Sequence, residues 1–427
     1  MSKADRGCRY RLYPEPGTAA RLESWGHTAR ALWSMALYQR IYVYEQRGRT
    51  LNLAGQGRFL TEARREMDWV ADLPAQCAQQ VLRHLDAAYA NFWNPDHPAG
   101  FPAWKKRGHR LAVSFPGQAV EVRKLNRHWA EVRLPKLGWV EFRLSRVLGG
   151  TIRNAGVSRD GSGWHISFGV YTGRKPDAPN GGPTCGVDFG VASSAFVSTE
   201  TEPRKMPPTL KPMERKRLRA LEQRKARQVT YAKKHQGGKY SRRLRRTIAQ
   251  IARLRTRQVN RRQDFTHKLT TDLAQNHGMI GIEDLRVKNM TRAAKGTVEY
   301  PGSRVRQKTG LNCGILDNAP GERRWQLEYK CRMYGSQLIA VPPFHTSQTC
   351  ANCGKVDPSS REGCGRLFSC VHCGHEDDAD HNASVEIEAR ARRTGGSVIN
   401  RTRSAALARV PAPRRRRTRE ALQAAHG

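Results

Sequence analysis

Acidic residues are scarce in this chain, and it has no apolar run long enough to span a membrane. The first shortage leaves 76 Lys and Arg against 37 Asp and Glu, a formal net charge of +39. So much charge of one sign opposes compaction unless a polyanion screens it, and nucleic acid is the obvious polyanion. The second absence, with no amphipathic helix of broad apolar face, excludes a membrane-surface protein of similar charge. The opening MSKADRGCRYRLYP has no apolar run before a small-residue cleavage site, so it does not read as a signal peptide. The expectation is a cytoplasmic protein that joins the nucleoid when bound to DNA. In that reducing interior the ten Cys point to thiols and metal ligation, not to a disulfide framework. At 427 residues and 38% hydrophobic content the chain can bury a sizeable core over several domains. It carries no internal repeat.

The opening YRLYP alternates like a short strand ended by Pro14, and helical patterns follow from about Ala19 to Arg47 and from Pro74 to Trp93. From about Leu111 to Tyr171, short alternating runs such as AEVRLP, WVEFRLS and WHISFGVY predict an antiparallel β barrel or sandwich that the first strand could complete. The linker KPDAPNGGPT sets a domain boundary near residue 176. Between Met213 and Asn276 lies a basic helical region broken at HQGGKYS, with Leu244, Ile248, Ile251 and Leu254 as its apolar stripe. A solvated helix pair is the plain reading; in so basic a chain, an arm along a phosphate backbone is the sharper one. The strand GMIGIEDL, a helix over RRWQLEYKCRMYG and the strand SQLIAVPP then give an α/β sheet. Beyond Thr394 periodicity is lost, and a basic tail containing RRRRTR is expected to be disordered.

Two constellations carry chemistry. Cys350 and Cys353, then Cys370 and Cys373, form C-x-x-C pairs each followed by Gly, which suits a structural Zn2+ held by four thiolates. Cys364, His372, His375 and His381 leave a substituted ligand set open. The second constellation is acidic. Asp188 lies in GVDFGV, Glu283 ends the strand of GMIGIEDL, and Asp380 lies in DADHNAS at a helix start. An acid in an apolar run must pair with a base or bind a cation, and hydrolysis with two divalent ions needs about three carboxylates from separate segments. Asp378 competes with Asp380 for the third place. Asp284 points the other way from Glu283 in a strand.

In order along the chain, YRLYPEP, QQVLRHLDAAYANFW, GFPAWKKRG, GVDFGV, RRQDFTHKLT, GIEDLRVKNM, LDNAPGERRWQLEYK, TSQTCANCG, FSCVHCG and DADHNASVEI resemble the TnpB (OrfB) nucleases of bacterial insertion sequences and their descendants, the compact type V CRISPR effectors. The resemblance implies a multidomain α/β protein: a RuvC-like RNase H fold with a zinc-ribbon insertion, preceded by a β-barrel wedge domain with a helical recognition insert. The corresponding segments are residues 1–18 and 96–175 for the wedge, 19–95 for the insert, 176–345 and 377–395 for the nuclease domain with its basic arm, 346–376 for the ribbon and 396–427 for the tail. It also implies an RNA-guided DNA endonuclease whose partners are a guide RNA and target double-stranded DNA. Asp188, Glu283 and Asp380 would hold two catalytic Mg2+ ions. The third motif departs from the usual DRDxNAAxNI at Ala379, Ser384 and Glu386. Gln348 matches a family motif and could brace the zinc knuckle.

Cations beside rings at Arg9, Arg11 and Tyr13, and at Trp104, Lys105, Lys106 and Arg107, suit phosphate contact with stacking; Arg261 and Arg262 join them as candidates. The alternatives in function are a protein that joins strands and a guide-dependent DNA-binding regulator without cleavage.

Overall fold

The computed structural model describes residues 5–95, 99–106, 110–191, 194–297, 299–361 and 366–398. Arg107, Cys364 and the tail from residue 399 lie outside them. The chain divides into two compact units, residues 1–175 with 208–261, and residues 176–207 with 262–427.

In the first unit, strand β1 (Arg6–Tyr13) turns Cys8, Tyr10 and Leu12 inward on alternate positions. Helix α1 (Pro16–Arg47) opens on a proline, whose missing N–H is unneeded in the first turn. It closes at Gly48, whose φ of 63° lets its N–H reach the Tyr44 carbonyl. Helices α2 (Leu53–Glu66), α3 (Asp68–Asp72) and α4 (Ala75–Trp93) follow. Strands β2 (Ala112–Pro116), β3 (Glu121–Lys124), β4 (Trp129–Leu134), β5 (Gly138–Arg143), β6 (Thr151–Asp160) and β7 (Gly163–Tyr171) join β1 in one antiparallel sheet. Its order is β2-β6-β7-β1-β5-β4-β3, so the opening strand lies at the centre. Leu22, Trp25, Leu37 and Leu85 of the helices share one continuous core with Phe115, Phe142 and Phe168 of the sheet.

The second unit begins with β8 (Thr184–Asp188) and β9 (Phe196–Val197). The chain then returns to the first unit for α5 (Pro212–His235) and most of α6 (Arg242–Asn276). There Leu218 and Leu221 of α5 bury against Leu254 and Ile251, the last two residues of the expected stripe. Gly161, in the β6–β7 turn, lies so close to α6 that a Cβ there would meet the Ala252 carbonyl at 2.2 Å. The basic arm thus groups with the first unit, whereas the sequence reading attached it to the nuclease domain.

The rest of the second unit is β10 (Met279–Glu283), α7 (Val287–Met290), α8 (Val305–Asn318), α9 (Pro320–Tyr334), β11 (Gln337–Val341), β12 (Leu367–Ser369), β13 (Glu376–Asp378) and α10 (Ala379–Val398). Its main sheet runs β11-β10-β8-β9, with β10 parallel to both neighbours and β9 antiparallel to β8. Cys185, Val187, Ile280 and Ile282 face Leu269 and Leu273 of α6 and Leu327 and Cys331 of α9. The opposite face receives α10.

Helices α2, α3, α7 and α8 have no counterpart in the sequence analysis; α3 and α7 are single short turns. Both α2 and α8 carry two internal glycines, each of which weakens a helix by about 1 kcal/mol. The cap Asn52, accepting from the Gly55 N–H at 2.8 Å, starts α2 all the same, and Ile315 and Asn318 bury the end of α8. Helix α10 continues through Gly395 to Val398, beyond the loss of periodicity at Thr394. Among the described residues, no helix is long and apolar enough to cross a membrane.

Candidate active site

The acids are placed by two glycines. A Cβ on Gly186 would sit 2.0 Å from the Ser384 carbonyl and 2.4 Å from the Glu388 nitrogen, and one on Gly281 would sit 2.8 Å from the Ala391 Cβ. Bare backbone at those points lets α10 lie directly on β8 and β10. Side chains alternate along a strand, so Asp188 and Glu283, each two residues further on, share the α10 face. Each is the last residue of its strand, and the ladder pairing Val187 with Ile282 places them side by side. Asp380 stands in the first turn of α10. The three sequence-predicted acids therefore converge at the carboxyl edge of a parallel sheet, the usual place for a ligand in an open α/β sheet.

Their electrostatics agree with that placement. Asp188 keeps some exposed surface, yet protein surrounds it; burial, then Glu283 and Asp380, push its carboxyl up to about 8, against the opposing field of Arg361. Burial also raises Glu283, opposed by a hydrogen bond from the Thr346 hydroxyl and by Arg390. Asp284 lies outside this set. It is exposed and pairs with Arg324 of α9. Asp378 accepts from the Asp380 N–H at 2.9 Å as the N-cap of α10 and lies 3.5 Å from Arg366.

The four predicted cysteines come together. Their sulfurs all lie within 4.8 Å of one another, with Cys350 to Cys373 and Cys353 to Cys370 each 3.7 Å apart. Zn–S bonds of about 2.3 Å in a tetrahedron require sulfurs about 3.8 Å apart, so the cluster fits a zinc ribbon. Gly354 and Gly374, at φ 71° and 69°, send their N–H groups back to the Cys350 and Cys370 carbonyls and shape the two knuckles. The alternative ligands have other partners: His372 meets Asp357, and His375 and His381 meet Asp377. Among the described residues the cysteines are the one group of three or more possible ligands so tightly gathered. The acids stand further apart.

Sequence reasoning missed the residues that join these two centres. Buried Asn382 accepts from the Ala351 N–H at 2.9 Å and donates to the Thr349 carbonyl at 2.8 Å, on either side of Cys350. Thr346 donates to Glu283, and Arg390 holds the Pro342 and Phe344 carbonyls and the Thr349 hydroxyl. Gln348 takes part locally, its side-chain oxygen 2.9 Å from His345 Nδ1 and its carbonyl accepting from the Asp357 N–H. The departures in the third motif all find partners. Ala379 buries with Cys350, Phe368 and Cys370; Ser384 donates to the His381 carbonyl; Glu386 pairs with Arg390 and Arg393.

The nucleic-acid candidates divide. Arg9 pairs with Asp160, Arg261 with Glu214, and Arg262 lies 3.6 Å from Asp317. Lys105 stacks its ammonium 3.8 Å from the Trp33 ring centre. Arg11 lies over Tyr13, and Tyr13, Trp104 and Lys106 are exposed.

Three family models match: a helix-turn-helix domain of OrfB_IS605 type over residues 1–49, a probable transposase of OrfB_IS605 type over 167–294, and a Cas12f1-like TNB domain over 321–387. The first of these segments is here a strand and one long helix. InsQ of Escherichia coli (strain K12), named as an RNA-guided DNA endonuclease, is 34% identical over 89% of this chain and 90% of its own length. A protein of Streptomyces pristinaespiralis named in the same way is 29% identical over 91% of this chain and 89% of its own. A solved Cas12f1–sgRNA–target DNA complex superposes over 88% of this chain and 83% of that one with a TM-score of 0.44 and 13% identity, too loosely to transfer residue positions. The chain belongs to the TnpB (OrfB) family.

Proposed function

We propose that the protein is an RNA-guided DNA endonuclease with a single RuvC-like active site, in which Asp188, Glu283 and Asp380 hold two Mg2+ ions. The observation that carries this reading is the meeting of three acids from separate segments at one sheet edge, where burial first and then the charges of Glu283 and Asp380 raise Asp188 to about 8. Acids crowded in that way favour a divalent cation over a single base. The hairpin β8–β9 followed by parallel β10 and β11, with a final helix across the acid-bearing face, supports an RNase H-like core.

Bound Mg2+ supplies charge neutralisation at the scissile phosphate and a water of lowered pKa. The chain's own residues set the frame. Asp188 and Glu283 offer oxygens from neighbouring strand ends, Asp380 offers them from the first turn of α10, and Thr346 fixes the rotation of the Glu283 carboxylate. Cys350, Cys353, Cys370 and Cys373 would hold Zn2+ as a structural ion.

We read residues 1–18 and 96–175 as the wedge domain and 19–95 as its recognition insert. Guide RNA and the duplex motif flanking the target are taken up through basic and aromatic positions such as Arg11, Tyr13, Trp104 and Lys106. Pairing with the guide selects the sequence. The decisive experiment reconstitutes the protein with RNA co-purified from its native locus. Asp188→Ala should abolish Mg2+-dependent cleavage and leave guide and target binding intact. Cleavage by that variant overturns the assignment, and joined strands formed without RNA would point to strand transfer instead.

A further inference from the structure

The cysteine cluster and the acid set share one hydrogen-bonded frame. After β11 ends at Val341, beside Glu283 in the ladder, the chain turns back over the end of β10. His345 takes a left-handed φ of 59°, and its carbonyl accepts from the N–H groups of Gln348 and Thr349 and from the Thr349 hydroxyl. This tight turn sets buried Thr346 on the Glu283 carboxylate. Four residues later comes Cys350, where Asn382 grips both neighbouring peptide groups. The orientation of that amide is fixed by its partners, because an N–H can only donate and a carbonyl only accept. Asn382 is two residues from Asp380 on α10. On the other side, β13 runs from the second knuckle directly into α10, and Ala379, the first residue of that helix, packs in the small core formed by Cys350, Phe368 and Cys370.

The ribbon therefore does more than close a small domain. We propose that it is a positioning device for the nuclease site: Asn382 and Thr346 are positioning residues that tie Asp380 and Glu283 to the Cys350 knuckle, so that zinc occupancy and divalent-cation affinity at the acids are coupled. The inference rests on the reading of Asp188, Glu283 and Asp380 as the Mg2+ ligands. Without an ion no bond ties the four sulfurs together, and an opened Cys350 knuckle withdraws the partners of Asn382 and loosens the turn bearing Thr346. Coupling of this kind is reciprocal: cation at the acids slows zinc loss, just as zinc tightens cation binding.

The test measures Mn2+ affinity of the full-length protein by electron paramagnetic resonance, alongside zinc content by elemental analysis. Zinc-loaded protein should bind Mn2+ about 5- to 100-fold more tightly than chelator-stripped protein, the range expected of linked sites. Asn382→Ala should weaken Mn2+ binding and speed zinc loss to a chelator. Thr346→Val, nearly the same size, should weaken Mn2+ binding about tenfold at unchanged zinc content, with Thr346→Ser restoring it. Wild-type Mn2+ affinity in both Asn382→Ala and Thr346→Val overturns the proposal. Asp188→Ala separates the two levels: if it binds Mn2+ normally, the site reading itself fails, whereas lost binding there with normal binding in the other two variants removes the coupling alone.

Discussion

Asp378 accepts a hydrogen bond at 2.9 Å from the backbone N–H of Asp380, which gives two acids of the same short motif different work. The first caps a helix; the second stands in the first turn, where its negative charge also suits the helix dipole.

Replacing them should therefore separate stability from chemistry. Asp380→Ala is expected to abolish cleavage and lower Mn2+ affinity with little change in melting temperature. Asp378→Ser keeps a capping oxygen and should cut DNA near the wild-type rate, while Asp378→Ala should cost about 1 kcal/mol of stability. Thermal melts beside a plasmid cleavage assay check all three.

The raised carboxyl of Asp188 gives a pH dependence with a definite sign. An aspartate that titrates near 3.8 unfolded and about 8 folded keeps a proton in the native state across that window. The native state then binds more protons than the unfolded one, so the stability of the ion-free protein falls as pH rises from about 4 to 8. A cation must displace that proton, so Mg2+ affinity should rise with pH until about 8. Melting curves with and without Mg2+ should show a larger gain at about pH 8.5 than at about pH 6, and Asp188→Asn should flatten the difference.

The glycines under α10 predict a graded response. Gly186→Ala drives a methyl to 2.0 Å from a backbone carbonyl and should destabilise the second unit by about 1–3 kcal/mol or more, with loss of cleavage. Gly281→Ala meets a side-chain methyl at 2.8 Å and should be milder. Equal melting temperatures for the two variants would contradict the packing described above.

The basic candidates should separate in the same manner. Lys106 is exposed, and if it contacts a phosphate, Lys106→Ala reduces the slope of log affinity for guide RNA against log salt by about 1. Arg261 is bound to Glu214 and to the Thr209 carbonyl, so Arg261→Ala should lower the melting temperature and leave that slope unchanged.

The sequence carried the chemistry more legibly than the scaffolding. The C-x-x-C pairs are a local pattern that few structures other than metal sites call for, whereas Asp188 and Glu283 taken singly look like ordinary strand-end acids and stand out only beside Asp380 and the ordered family motifs. Helices α2 and α8 were not legible, since paired glycines mask a helical pattern that tertiary burial rescues. Asn382 acts on partners 31 and 33 residues away and Thr346 on one 63 residues away, relations that no window along the chain contains. One signal was present and went unused. Both acids follow a glycine at the second position before them, Gly186-Val-Asp188 and Gly281-Ile-Glu283, the trace of a helix pressed onto two strands.

The distance along the chain between the first acid and the last also sets a schedule. Asp188 is synthesised 380 − 188 = 192 residues before Asp380, and the rest of α10 follows later still. At ribosomal rates of roughly 5–20 residues per second, about 10–40 s separate the two acids. Strand β8 and, once it has been made, β10 lack until then the helix that covers their acid-bearing face. On the proposed site, the acid set is complete only once α10 has been made, so a product terminated before Asp380 would lack the third acid and should not cut DNA.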